Sequence, residues 1–424
     1  MFTKTTLKNG MRVILAPVEG TSATTVLALT KVGSRNEHDA VWGGSHYIEH
    51  LMFKGTTKRP STIDISMTLD RFGAEYNAYT GKDLTGYWVK IDAAETATAI
   101  DLLHDMIFHS VYDPEEMERE KRVIIEEIKM YEENPMMHLG DLLEDALFAG
   151  STLGRNIAGT AQSMLAMTRE DVISYRDRHY VPQNMVIVVA GTIPEDVIAQ
   201  LEASFGTVAS SGEETGIDAF GAYGETDRPR IGLQYKELEQ VNLAFGWPTV
   251  GKEHPDQPAL KVLAKILGGA MSSRLFIEVR ERRGLCYSVR ASVDSYEDIG
   301  SFDITSGLDA KRVSEAAKTI FAEVEKMVEH GVTDEELRYA KDNIAGGMKL
   351  ALENSSSRAE FFGRQEVYHK QVETPEQRLA KIEAVTKEDI LRVAREVFNP
   401  KKLTVAAIGP YKTEDDLLKE VGLA

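Results

Sequence analysis

The chain repeats itself. MTREDVISYRDRHYVPQNMVIVVAGTI, beginning at Met167, aligns without a gap on VTKEDILRVAREVFNPKKLTVAAIGPY, beginning at Val385, so that Thr168 meets Thr386, Pro182 meets Pro400 and Gly191 meets Gly409 at a constant offset of 218. Upstream, DPEEMEREKRVIIEEI resembles TDEELRYAKDNIAGGM at an offset of 220. A duplication on this scale divides the chain into two related halves. A chain of 424 residues is in any case too long for a single core. The expected halves are 1–210 and 228–424, joined through Val208–Arg230, a stretch rich in Gly, Ser and acids with neither helical nor alternating period.

Within each half the period changes along the chain. MRVILAPV, TTVLALTKVG and TGYWVKID read as strands, as do RIGLQYKE, NLAFGWPT and YSVRASVD, and long amphipathic helices separate them. Strand runs followed by helix runs predict an α+β fold, each half a largely antiparallel sheet layered with helices. AEYNAYTGKDLTGYWVKI, from Ala74 to Ile91, reads as a hairpin with an exposed strand, and an unpaired edge accepts an extended peptide as an added strand.

The halves differ in chemistry. His46-Tyr47-Ile48-Glu49-His50 stands only in the first. Histidines four apart share a helical face, so both can aim a ring nitrogen at one divalent cation, while Glu49 sits beside them as a base. This is the inverted zinc-protease order H-x-x-E-H. Its flanks place it on a helix: Gly43-Gly44-Ser45 supplies a start with a small capping residue, Ile48, Leu51 and Met52 an apolar stripe, and Lys54-Gly55 a stop. A catalytic zinc takes a third protein ligand and keeps a fourth position open. Asp113–Glu133 is the best donor, because it opens with Asp-Pro and then runs with helical period. Met117, Ile124, Ile128 and Tyr131 mark its buried face, and Glu120 and Glu127 fall on or beside it. Glu126 falls with Arg119, Arg122, Lys129 and Glu133 on a charged, solvated face. At the 220 offset Glu120 meets Ala340 and Glu127 meets Gly347, so the second half lacks these carboxylates.

Taken in order, Gly33–Glu37, HYIEHLMFKGT from His46, Asn77-Ala78-Tyr79-Thr80, EKRVIIEE and SSRLFIEVRERRGLCYSV from Ser272 resemble the insulinase and pitrilysin family of zinc metallopeptidases, in particular its short bacterial branch similar to mitochondrial processing peptidase. The resemblance covers essentially the whole chain. It implies one zinc ion per chain, His46, His50 and Glu127 as ligands, Glu49 as general base and Glu120 as a supporting carboxylate. It further implies Arg280 and Tyr287 as a substrate-binding and catalytic pair, and Asn77 and Ala78 as contacts to the substrate backbone. Departures are mild, chiefly Ser45 and Tyr47-Ile48, where family members often carry Ala and Phe-Leu. The family also implies halves assembled clam-like around a chamber, closed here by a second copy or a paralogous partner, with peptides or unfolded segments as substrate.

The net charge of −18 argues against nonspecific nucleic-acid binding, which needs clustered cations. No apolar run approaches the roughly 20 residues that span a bilayer, and MFTKTTLKNGMRVIL lacks a secretory apolar region, so a cytoplasmic protein without a membrane partner is expected. The single cysteine, Cys286, cannot form an intrachain disulfide. The alternative function is a noncatalytic peptide-binding or assembly subunit. Such subunits usually lose part of the metal motif or the Arg–Tyr pair, and this chain retains both.

Overall fold

A computed structural model describes residues 2–210, 214, 216–369 and 371–424, so Ser211–Glu213 and Thr215 of the expected linker lie outside the described residues. Among the described residues eleven strands form two sheets. The first contains β1 (Thr3–Thr6), β2 (Arg12–Pro17), β3 (Ala23–Thr30), β4 (Glu75–Thr80), β5 (Thr85–Asp92) and β6 (Met185–Gly191), hydrogen-bonded in the order β1-β2-β6-β3-β5-β4. The second contains β7 (Arg230–Tyr235), β8 (Gln240–Val250), β9 (Cys286–Ser295), β10 (Ile299–Asp309) and β11 (Thr404–Gly409), in the order β7-β11-β8-β10-β9. One pair in each is parallel, β2 with β6 and β7 with β11; the other neighbours are antiparallel. With β1 set aside, the two orders are the same, and the duplication read in the sequence is a duplication of sheets. The fold is α+β in both.

All six stretches expected as strands are strands, and Ala74–Ile91 is the β4–β5 hairpin with β4 on the sheet edge. Among the described residues β1, β6, β10 and β11 are not among the expected strands; of these, β6 (MVIVVAG) and β11 (TVAAIG) have every residue buried. Both faces of these strands are covered, so their side chains show no alternation to read.

The chain forms two compact units, and they are not the two halves of the sequence. One comprises Met1–Lys129, Asn156–Asp218 and Met348–Thr374; the other comprises Met130–Arg155, Ala219–Gly347 and Pro375–Ala424. Against the expected division at 1–210 and 228–424, each unit therefore takes in a helix from the other half. Helix Ser355–His369 covers the first sheet, where Ala359, Phe362 and Val367 join Ile14, Leu27, Leu29, Val186 and Val188 in one apolar cluster. Helix Pro135–Leu147 covers the second, with Leu139 and Leu143 against Ala244, Ala406 and Ile408. These helices begin at 135 and 355, which are 220 apart, so the exchange is itself duplicated. Each sheet has a second apolar face that its own half leaves uncovered, and burial of that face favours the exchange.

The close approach of helix to sheet is visible at Gly363, where a Cβ would lie 2.7 Å from Leu29 Cδ1 and 2.9 Å from Val188 Cγ2. Phe362, beside it, is 1% exposed. Phe362→Ala should lower stability by about 3–5 kcal/mol, the usual range for emptying a buried aromatic position. Denaturation followed through Trp42 and Trp88 of that unit measures it, and a loss below about 1 kcal/mol would mean that the helix is not part of the core. No described helix is long and apolar enough to cross a membrane.

Candidate metal centre

The motif helix is Gly44–Leu51. It begins where expected, but its cap is not the small side chain of Ser45. Gly43 adopts a left-handed conformation with φ 92°, and a Cβ there would meet the Ala158 carbonyl at 2.7 Å, so glycine is required. The orphan N–H groups of the first turn are satisfied from upstream: Gly43 N and Ser45 N both donate to the Glu37 carboxylate at 2.7 Å. Glu37 is 2% exposed, and burial pushes its carboxyl up to about 8, against the pull of those same donors. Ile48, Leu51 and Met52 are buried as the stripe requires. Tyr47, on the same side, donates to the Met117 carbonyl at 2.7 Å and ties the motif helix to helix Pro114–Glu133.

That second helix starts as Asp113-Pro114 predicts, with Asp113 Oδ1 accepting from the amides of Glu115 and Glu116. Met117, Glu120, Ile124 and Ile128 are buried and Tyr131 is half-buried. Glu126 is exposed and paired with Lys129 at 2.8 Å. Glu127 turns inward instead, with Oε2 3.8 Å from His46 Nε2 and 3.5 Å from His50 Nε2, and the two Nε2 atoms lie 3.2 Å apart. Ligands about 2.0–2.1 Å from a tetrahedral zinc are separated by roughly 3.3 Å, so this donor set has the chemistry and the spacing of a two-histidine, one-carboxylate site. Among the described residues these three are the one group of such side chains close enough to hold a metal ion.

The charge state of His46 suits a metal. Burial, with His50 beside it, lowers the His46 imidazole to about 3, so its ring is neutral at physiological pH and has a lone pair to give. His50 donates from Nδ1 to Glu120 Oε1 at 2.8 Å, which fixes the tautomer and leaves Nε2 free to ligate. Burial opposes charge on His50, but Glu120, then Glu127 and Glu49, outweigh it and raise its pKa. Glu120 is 3% exposed and carries a second partner, Lys54 Nζ at 2.6 Å from Oε2. Burial alone would raise its pKa, yet His50 and Lys54 hold it below the usual value. Glu49, the remaining member of the motif, accepts from Thr80 Oγ1 at 2.5 Å; burial raises its carboxyl pKa, and Thr80 and His50 pull the other way.

Of the other candidates, Asn77 and Ala78 lie on edge strand β4, where Ala78 N donates to Asn77 Oδ1 at 2.9 Å. Arg280 and Tyr287 belong to the second unit. The Arg280 guanidinium stands 4.7 Å from the Phe276 ring centre and 5.5 Å from that of Tyr287, a residue that is 77% exposed. Cys286 beside them is half-buried, and burial, despite Arg280, pushes its thiol up to about 11, a value that leaves it unreactive at neutral pH. Three participants escape sequence reasoning. Glu37 gives no periodic signal, and Thr80 touches Glu49 only across 31 residues of chain. Lys54 carries a legible sign, since it follows His50 by one helical turn.

Comparison with known proteins bears on the same residues. Residues 12–161 match the family described as insulinase (peptidase family M16), and residues 166–344 match the peptidase M16 inactive domain. An uncharacterized zinc protease of Mycobacterium tuberculosis is 33% identical over 419 residues, covering 99% of this chain and 95% of the relative. The uncharacterized zinc protease YmxG of Bacillus subtilis is 33% identical over 410 residues, covering 97% and 98%. Among solved structures, a protease from Helicobacter pylori superposes with a TM-score of 0.90 at 25% identity, over 97% of this chain and 99% of that one.

Proposed function

The chain belongs to the insulinase family, peptidase family M16, and from that premise we propose that it is a zinc-dependent endopeptidase hydrolysing peptides or unfolded segments, with one zinc per chain. The observation that carries the proposal is the convergence of His46, His50 and Glu127 on one point, with Glu49 on the same helix. A zinc ion held there would supply Lewis acidity, lowering the pKa of water and polarising a carbonyl.

In this reading His46, His50 and Glu127 are the ligands, and Glu120, backed by Lys54, keeps the His50 ring in its ligating orientation. Glu49 takes the proton from the attacking water and returns it to the leaving amine. The peptide adds as a strand along the open side of β4, where Asn77 and Ala78 meet its backbone, since an edge strand offers unpaired N–H and C=O groups. Arg280 holds the peptide's carbonyls, and the Tyr287 hydroxyl donates to the oxyanion that forms at the scissile bond. The match of residues 166–344 to an inactive domain agrees with a second half that has Ala340 in place of a carboxylate. Closure of a chamber by a second copy, and a cytoplasmic location, complete the proposal.

The test is zinc content by elemental analysis together with cleavage of a quenched fluorescent peptide before and after chelation. One zinc per chain and turnover restored by zinc are expected. A chain that binds zinc and peptide but never cleaves would instead be a peptide-binding subunit. Tyr287→Phe should lower kcat by about a hundred- to a thousandfold, the range for one lost oxyanion donor. Unchanged kinetics on several peptides would remove Tyr287 from the mechanism.

A further inference from the structure

The base of a hydrolytic site needs to be held as firmly as its metal, and a glutamate has three rotatable side-chain bonds. Nothing on the motif helix restrains Glu49. Its one hydrogen-bond donor among the described residues comes from outside, the Thr80 hydroxyl on Oε2, at a distance within the range of charge-assisted O–H to carboxylate bonds. With Oε2 so occupied, Oε1 is left for a substrate water. Thr80 is well suited to such a hold, because its β-branched side chain is stiff at χ1 and it sits at the last position of β4, paired with Thr85 of β5.

The turn that follows Thr80 is itself gripped. The Gly81 and Lys82 carbonyls accept from Ser34 N at 3.1 Å and Arg35 N at 2.9 Å, and Thr85 Oγ1 donates to the Val32 carbonyl at 2.9 Å. Contact is so close at Gly33 that a Cβ would fall 2.2 Å from the Gly81 oxygen and 2.4 Å from that of Lys82. Arg35 and Asp83, with side chains 2% and 1% exposed, face each other at 3.6 Å across the same contact. The loop's other end reaches the motif helix, because Glu37 accepts from Gly43 N and Ser45 N at the helix start. Five consecutive residues, Gly33-Ser34-Arg35-Asn36-Glu37, thus hold both the helix that carries Glu49 and the hairpin that carries Thr80.

We propose that Thr80 is a positioning residue for the base Glu49, and that the loop 33–37 acts as a jig that fixes the spacing between the Thr80 hairpin and the Glu49 helix. The proposal rests on the endopeptidase reading for its kinetic consequence, but the placement of Glu49 is observable without it. Misplacing a catalytic group by about 1 Å can cost about a hundredfold. Thr80→Val, which keeps the branched shape and removes the hydroxyl, should therefore lower kcat by about ten- to a hundredfold, leave KM within about twofold and retain one zinc per chain. Thr80→Ser, which restores the hydroxyl, should return kcat to within about threefold of the parent.

The kinetic measurements should be paired with crystal structures of the zinc-loaded parent and of Thr80→Val. One Glu49 rotamer is expected in the parent and more than one in the variant. Turnover of Thr80→Val equal to the parent's, or a Thr80→Ser variant as impaired as Thr80→Val, would overturn the proposal, as would a single unchanged Glu49 rotamer in Thr80→Val. If the zinc-loaded parent cleaves no peptide, the endopeptidase reading fails by itself, and the rotamers of Glu49 still decide the role of Thr80.

Discussion

Glu49→Gln is expected to abolish peptide turnover while the protein keeps its zinc and its affinity for peptide. The substitution exchanges a carboxylate for a neutral amide of nearly the same shape, and the amide oxygen can still accept from Thr80, so packing around the motif helix is undisturbed. His46, His50 and Glu127 are untouched, and their separations of 3.2, 3.5 and 3.8 Å are set by the two helices and not by Glu49. What disappears is the group that can take a proton from water and give it back to the leaving amine. General base catalysis contributes about a hundredfold to ten-thousandfold, and a base serving both proton transfers stands at the upper end. Elemental analysis, peptide binding by fluorescence anisotropy and a turnover assay on the same preparation check this. Loss of zinc from the variant would reassign Glu49 as a ligand, and persistent turnover would remove it as the base.

The parts of this site that could be read from sequence are those encoded at helical spacing. His46 and His50 are one turn apart, and the phase of helix Pro114–Glu133 follows from Met117, Ile124 and Ile128, which alone separates Glu120 and Glu127 from Glu126. The repeat accounts for the agreement of the two strand orders, β1 aside, but the order itself is not legible in it. What escapes is whatever depends on contacts between segments with no common period. Glu37 caps the motif helix from beyond a loop, because the N-cap residue, Gly43, has no side chain to do so. Thr80 meets Glu49 because the hairpin is seated on residues 33–35, a contact of backbone carbonyls and amides that leaves no trace in side-chain pattern. The exchanged helix Ser355–His369 escapes as well, because its buried side carries Ser355, Gln365 and Glu366 beside Ala359, Phe362 and Val367 and so shows no clean apolar stripe, and nothing in it names Leu27, Leu29 and Val188 of the other half as its cover.

The helix phase has its sharpest consequence at two neighbouring acids. Glu126 and Glu127 are adjacent in sequence and identical in chemistry, but a helix turns about 100° per residue, so they cannot share a face. Glu127 Oε2 lies within 3.8 Å of both ring nitrogens of the motif, whereas Glu126 points to solvent and pairs with Lys129, the two side chains being 72% and 57% exposed. Glu127→Gln replaces an anionic oxygen donor with a neutral amide, a poor zinc ligand, and leaves two imidazoles to hold a dication. Loss of a mere hydrogen-bonding partner to a ligand weakens metal binding by about 10- to 100-fold, so loss of a ligand itself should exceed that and remove activity with the metal. Glu126→Gln takes away half of an exposed ion pair, an interaction worth under about 1 kcal/mol, and should leave zinc stoichiometry and kcat unchanged. Zinc affinity by chelator competition and turnover, measured on both variants side by side, make the comparison independent of how either variant expresses. Should Glu126→Gln lose its metal and Glu127→Gln keep it, the helix would have to be rotated by one residue and the ligand assignment with it.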